Sequence, residues 1–203
     1  MNQYVEEILK SDLKFVMSMT GGGSIALSEL LRCGGASNNL LAAYMPYSKE
    51  AFDSFVINQP IWMRPNYPID KNFKYSSSEA SKLLASGSYN KACEYTISSI
   101  FDIAGVGVAC SLAKNGVERI DREHRAYITI QTSKVINTIS VIFNKTNCKN
   151  HVLDNSRLRP FEEEILSELI LQRLVKFCNP NSVLNDSSSI ENCVQISEEE
   201  ILK

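Results

Sequence analysis

Phe15-Val16-Met17-Ser18-Met19-Thr20-Gly21-Gly22-Gly23-Ser24-Ile25-Ala26-Leu27-Ser28-Glu29-Leu30-Leu31 is the stretch whose reading decides the fold. It begins as an apolar run with the character of a buried strand. Three glycines follow, removing every Cβ where the backbone has to turn sharply. Ile25, Leu27, Leu30 and Leu31 then recur at a spacing closer to a helix than to a strand. The first N–H groups of such a helix lack intrahelical partners, and the helix dipole adds to their pull on an anion. The turn has neither Gly-Lys-Ser/Thr nor the G-x-G-x-x-G pattern. Spacing alone fits either a phosphate-binding turn or a merely tight strand–helix junction.

Working outward, Asn2–Lys10 reads as a short helix. Arg32–Asn39 is a second glycine-bearing loop, and Leu40–Met45 is an apolar strand stopped by Pro46. Ser48 is placed to cap a helix running to Val56. Residues 58 to 74 hold three prolines and the only tryptophan, Trp62, and read as an irregular aromatic loop. Ser76 with Glu79 has the form of a capping box opening a helix that Gly87 ends or kinks, with a further helix over Tyr89–Ser98. Ile100–Ala109 reads as a strand entering another glycine turn at Gly105-Val106-Gly107.

A polar loop, Lys114–Glu123, precedes the alternating strand His124–Thr132. Val135–Phe143 pairs with that strand antiparallel through Ser133-Lys134. Asn144–Asn155 is a polar turn. Pro160 fits the first turn of a long helix with an apolar stripe from Phe161 to Phe177. Glu162–Glu164 read as its solvated start, and Arg157 and Arg159 as exposed cations before it. Helices alternating with strands predict an α/β fold: a three-layer α/β/α sandwich with a mixed, mostly parallel sheet and one antiparallel strand. The domain spans 1–178, and 179–203 is a polar tail with a marginal helix over Glu198–Leu202.

Of the 203 residues 44% are hydrophobic, enough for a core. The net charge is −2, from 21 basic and 23 acidic residues without a basic face, so nucleic acid is not an expected partner. No apolar run approaches the ~20 residues of a membrane helix, and the first residues lack signal-peptide character. The six cysteines are scattered without a C-x-x-C pair and read as reduced thiols in a cytoplasmic protein. No metal-ligand cluster stands out, and neither metal nor cofactor is expected.

Thr20-Gly21-Gly22-Gly23-Ser24, Gly34-Gly35-Ala36-Ser37, Pro46-Tyr47-Ser48-Lys49-Glu50-Ala51 and Gly105-Val106-Gly107 follow the order and rough spacing of the CinA C-terminal domain family. The chain from Val5 to Phe177 resembles that family, in which some members are nicotinamide mononucleotide (NMN) amidohydrolases. The resemblance implies a pocket for a pyridine mononucleotide at the glycine loops, hydrolysis of a non-peptide C–N bond, and a homodimer. It also shows departures. Where the enzymes carry Ala-Glu-Ser-Cys-Thr-Gly-Gly, this chain has Met17 for the glutamate and Met19 for the cysteine. Where they carry Tyr-Ser-Asn-Glu-Ala-Lys, Phe52 stands for the lysine. The family's Gly-Pro-Asp-Gly-Gly loop is replaced by Gly105–Cys110. A divergent branch matches better, with Thr-Gly-Gly-Gly-Ser, Pro-Tyr-Ser, Gly-Val-Gly, a His-Arg pair at 124–125 and Gln131-Thr132.

The resemblance makes Ser37 and Tyr47 the candidate catalytic pair. Ser18, Thr20, Gly21, Gly22, Ser48, Gly105, Gly107, His124 and Arg125 are candidate contacts to a nucleotide ligand. Amide hydrolysis needs a nucleophile, a base and oxyanion donors. Lys49 could replace the missing lysine or be a solvated surface lysine. His124 or Arg125 could bind phosphate or carry a proton, or form a strand-edge pair. Ser18 and Ser24 fit turn stabilisation better than catalysis. Two function classes stay open: an amidohydrolase, and a nucleotide-binding or interaction module without the reaction.

Overall fold

The computed structural model describes residues 2–58, 72–97, 99, 102–114, 123–144, 155–182, 190 and 193–203. The expectations for Trp62 and most of the 58–74 loop, most of Lys114–Glu123 and Asn144–Asn155, His151 and the Arg157 side chain lie outside the described residues. The order is α1 (Gln3–Leu9), β1 (Lys14–Thr20), α2 (Ser24–Leu31), a 3₁₀ turn (Ala36–Asn38), β2 (Leu40–Tyr44), α3 (Lys49–Ile57), α4 (Ser78–Tyr95), β3 (Ile103–Ser111), β4 (Arg125–Gln131), β5 (Val135–Phe143), α5 (Asn155–Cys178) and β6 (Val194–Leu202). Among the described residues no helix is long and apolar enough to cross a membrane.

The sheet order is β2-β1-β3-β4-β5-β6. β1 pairs parallel with β2 and β3, and the remaining pairs are antiparallel. β2, β1, β3 and β5 therefore run one way. β4 is the expected antiparallel strand, and β6 is a second. The α/β/α layering is as expected. α1, α2 and α5 cover one face, packing Phe15, Met17 and Met19 against Leu30, Leu166 and Ile170. α3 and α4 cover the other, where Phe52, Leu84 and Ala92 meet Ala109, Val16 and Ile103. β1 is apolar almost throughout because helices bury both its sides.

Four expectations change. Gly105 and Gly107 are not in a turn but inside β3, facing α4. A Cβ at Gly105 would lie 2.2 Å from Ala85 O and Tyr89 N, and one at Gly107 2.2 Å from Ser81 O. These glycines let the helix backbone rest directly on the strand. Gly87 does not interrupt α4, which is one helix of 18 residues capped by Ser77 rather than Ser76. A Cβ there would meet Phe55 Cε1 at 3.0 Å, so its absence makes room for α3. The stretch expected as a marginal helix in the tail is strand β6, paired along β5. Finally, Cys33, Cys93, Cys110 and Cys178 are free, but Cys193 is disulfide-bonded, a pairing that sequence spacing cannot reveal.

Candidate functional site

α2 joins β1 to β2 on one face, while α3 and α4 join β2 to β3 on the other. In the sheet order β1 leads outward to β2 and β3 leads the other way to β4, so the chain departs towards opposite sides at the carboxyl ends of β1 and β3. In open α/β sheets that crevice is where ligands bind.

The glycine turn lies in it. Gly21 and Gly23 have φ of +92° and +95°, a conformation glycine adopts without strain. Gly23 caps α2 with no side-chain bond of its own, leaving its amide and that of Ser24 bare. The sequence leaves open an anion seat or a merely tight junction there; an anion is present, the Glu163 carboxylate from α5. Gly23 N–H donates to both its oxygens at 2.9 Å, Ser24 N–H to Oε1 at 2.6 Å, and the Ser24 hydroxyl to Oε1 at 2.8 Å. A Cβ at Gly22 would lie 2.5 Å from Glu163 Oε2, so that glycine makes space for the carboxylate.

Two more charged groups of α5 complete the plug. Arg159 donates to Gly21 O at 2.5 Å and to Ala113 O at 3.2 Å, bridging the ends of β1 and β3. Glu162, 1% exposed, accepts from Ala113 N–H at 2.6 Å and lies 2.6 Å from His124 Nδ1. Burial raises the Glu162 carboxyl above its ordinary value, while the Ala113 amide and His124 pull the other way. Arg159, Glu162 and Glu163 follow the i, i+3, i+4 spacing of one helix face. They continue the stripe of Leu166, Leu169 and Ile170. The sequence signal was that register with the buried leucines; the run of three glutamates hid it. Glu162–Glu164 are therefore not simply a solvated helix start, and Arg159 is not a free surface cation.

The remaining candidates divide by position. Thr20, Gly21, Gly22, Tyr47, Ser48, His124 and Arg125 share the carboxyl edge of β1–β3. Tyr47 is 65% exposed, and Ser48 caps α3 by accepting from Ala51 N–H at 3.1 Å. Thr20 ends β1, its carbonyl facing Cys110 Sγ at 3.5 Å. His124 turns to the α5 side, while Arg125 precedes Tyr127 and Thr129 on the α4 side, so the pair is split across the sheet.

Ser37 is elsewhere. It sits in the 3₁₀ turn before β2, at the opposite end of that strand from Tyr47. Five strand residues separate the ends, roughly 17 Å at about 3.3 Å per residue. The expected Ser37–Tyr47 pairing does not form. Ser18 is fully buried beneath α4, donating to Leu84 O at 3.1 Å and accepting from the Ser88 hydroxyl at 2.8 Å. Gly105 and Gly107 are buried under the same helix and touch no crevice. Phe52 is a core residue, and Lys49 is exposed with its Nζ 5.6 Å from the Tyr75 ring centroid. Cys110 offers no substitute nucleophile, because burial pushes its thiol up and the Glu163 charge adds to this.

No family model and no curated protein matches the chain. Solved structures do. The competence/damage inducible protein CihA from Agrobacterium tumefaciens superposes with a TM-score of 0.59 at 11% identity, covering 86% of this chain and 93% of that one. A CinA superfamily protein from Enterobacter cloacae gives 0.53 at 10% identity, covering 85% and 90%. One from Klebsiella pneumoniae gives 0.52 at 8%, covering 84% and 92%. At such identities the likeness is one of fold.

Proposed function

We propose that this chain is a divergent CinA-like domain that keeps the fold without the deamidase reaction and works as a binding or interaction module. The observation that carries the reading is the Glu163 carboxylate on the Gly23 and Ser24 amides. A phosphate cannot take those donors while a protein carboxylate holds them, since two anions would share one seat. The chemistry points the same way. A serine hydroxyl needs a neighbouring base to become a nucleophile. Ser37 lies a strand length from Tyr47, Ser18 is locked under α4, and Phe52 supplies no base.

The test is ammonia release from NMN, run beside calorimetric titration of the same protein with NMN. We expect neither ammonia nor binding heat. NMN-dependent ammonia with multiple turnovers overturns the reading. Heat without ammonia keeps the module and makes the nucleotide its ligand. From the sequence resemblance to the CinA family we further propose a cytoplasmic homodimer, and light scattering on the eluted protein checks its oligomeric part.

A further inference from the structure

We propose that β2 is the docking edge for a second copy of this chain, whose own β2 joins it antiparallel across a two-fold axis. This gives the homodimer read from the resemblance its contact surface, and it rests on that reading. The sheet ends in two edge strands, β2 and β6. Among the described residues β2 pairs with β1 on one side and with no strand on the other. An edge strand turns a row of N–H and C=O groups outward, ready for another strand.

The two edges are built differently. β6 carries Glu198, Glu199 and Glu200, charges that turn an approaching strand away. β2 reads Leu40-Leu41-Ala42-Ala43-Tyr44 and runs on into Met45-Pro46-Tyr47 without a charged side chain. Ala43 is exposed, and Met45 and Tyr47 are 50% and 65% exposed. Tyr95, at the end of α4, is 47% exposed, and its hydroxyl lies 2.5 Å from that of Tyr44. That bond holds both rings beside the strand. Apolar and aromatic surface gathered along an unguarded edge is what an interface leaves bare in the free subunit.

The same composition selects the occupant. A charged strand would bury its charges against an edge that offers no counter-charge. A second β2 brings none. Antiparallel pairing centred on Ala42 sets Leu40 opposite the partner subunit's Tyr44, and Leu41 opposite the partner subunit's Ala43. An aliphatic side chain facing an aromatic one is a favourable cross-strand pair, and a large residue facing a small one packs without crowding. Ala42 meets its own copy on the axis, as an isologous contact requires. Five residues give roughly 17 Å of strand at about 3.3 Å per residue, an ordinary length for a paired strand. The two six-stranded sheets then form one continuous sheet.

The experiment follows the mass of the full chain by sedimentation equilibrium over a dilution series. A dimer is expected. Ala43→Glu, a change at an exposed position, sets like charges against each other near the axis and should raise the dissociation constant at least tenfold without moving the thermal melt. Gln195→Glu, exposed on β6, should leave the constant unchanged. A monomer at every concentration overturns this proposal and the homodimer together. A dimer that Ala43→Glu does not weaken overturns this proposal alone. Amide exchange in the unmodified chain decides even where the variant fails to fold: β2 amides should slow as dimer forms, and β2 amides equally fast in monomer and dimer refute the pairing. NMN turnover and binding are read separately, so the module reading stands or falls on its own test.

Discussion

Glu163 and Gly23 lie 140 residues apart in the chain, yet both oxygens of the glutamate accept the glycine amide at 2.9 Å. A charged acceptor on bare helix-start amides is among the stronger hydrogen-bond arrangements. Glu163→Ala should lower stability by about 1–3 kcal/mol, read from chemical denaturation. Sulfate should recover part of that loss in the variant and do less for the parent protein, since only the variant has amides to offer. An unchanged midpoint would show that the contact carries no weight.

Glu162 gives a pH dependence of defined sign. Its carboxyl is raised above the ordinary value of 4.5 mainly by burial. The folded state therefore holds the proton more firmly than the unfolded chain. Stability attributable to this group is greatest below the ordinary value and falls as pH rises towards the raised folded value. Glu162→Gln keeps an acceptor for Ala113 N–H without a charge. The stability of the parent protein relative to this variant should decline as pH increases from about 4.5. Parallel curves across that window would contradict this.

β3 provides a sharp pair of controls. Alanine at Gly105 or Gly107 drives a methyl group into the backbone of α4, at 2.2 Å from its nearest atoms. Each should destabilise by about 3 kcal/mol or more, because backbone cannot yield as a side chain does. Alanine at Gly34, where no atom lies within 4 Å, should leave stability within about 0.5 kcal/mol. Thermal melts of the three variants separate a packing role for the β3 glycines from a ligand-contacting one.

Arg173 ties β6 to the body. Its guanidinium bonds Asn137 Oδ1 and sits 2.5 Å from Glu198 Oε1. The bond to Arg173 is the main reason the Glu198 carboxyl is held below its ordinary value. That contribution is present above the ordinary carboxyl value and lost as pH falls through the lowered one. Arg173→Ala should speed amide exchange in β6, leaving β1 and β3 protected. Equal exchange throughout the sheet would refute it.

The parts of the fold written in local chemistry were legible. Ser48 announced α3 through its capping side chain, and the alternation of Arg125–Gln131 against Val135–Phe143 gave the antiparallel pair. Strand β6 was not legible. Nearly all its residues are exposed, so burial imposes no alternation, and Glu198-Glu199-Glu200 read as helix formers. On an open edge the same charges discourage pairing with another chain. Gly105 and Gly107 looked like a turn because a glycine that loosens the chain and one that admits a neighbouring backbone are identical in sequence. The site was half legible. The three glycines were consistent with an anion seat or a tight junction, and nothing local says whether an anion there would come from solution or from another helix of the chain.

The turn after β1 also bears on how the molecule assembles. β1 and α2 can meet as soon as a few tens of residues are free to fold, but the carboxylate that satisfies their junction arrives only with α5. Closing a loop of that length before any reward is slow. Any species in which β1 and α2 have met before α5 docks has an uncovered positive notch, where inorganic phosphate or sulfate in a refolding buffer would act as a temporary stand-in.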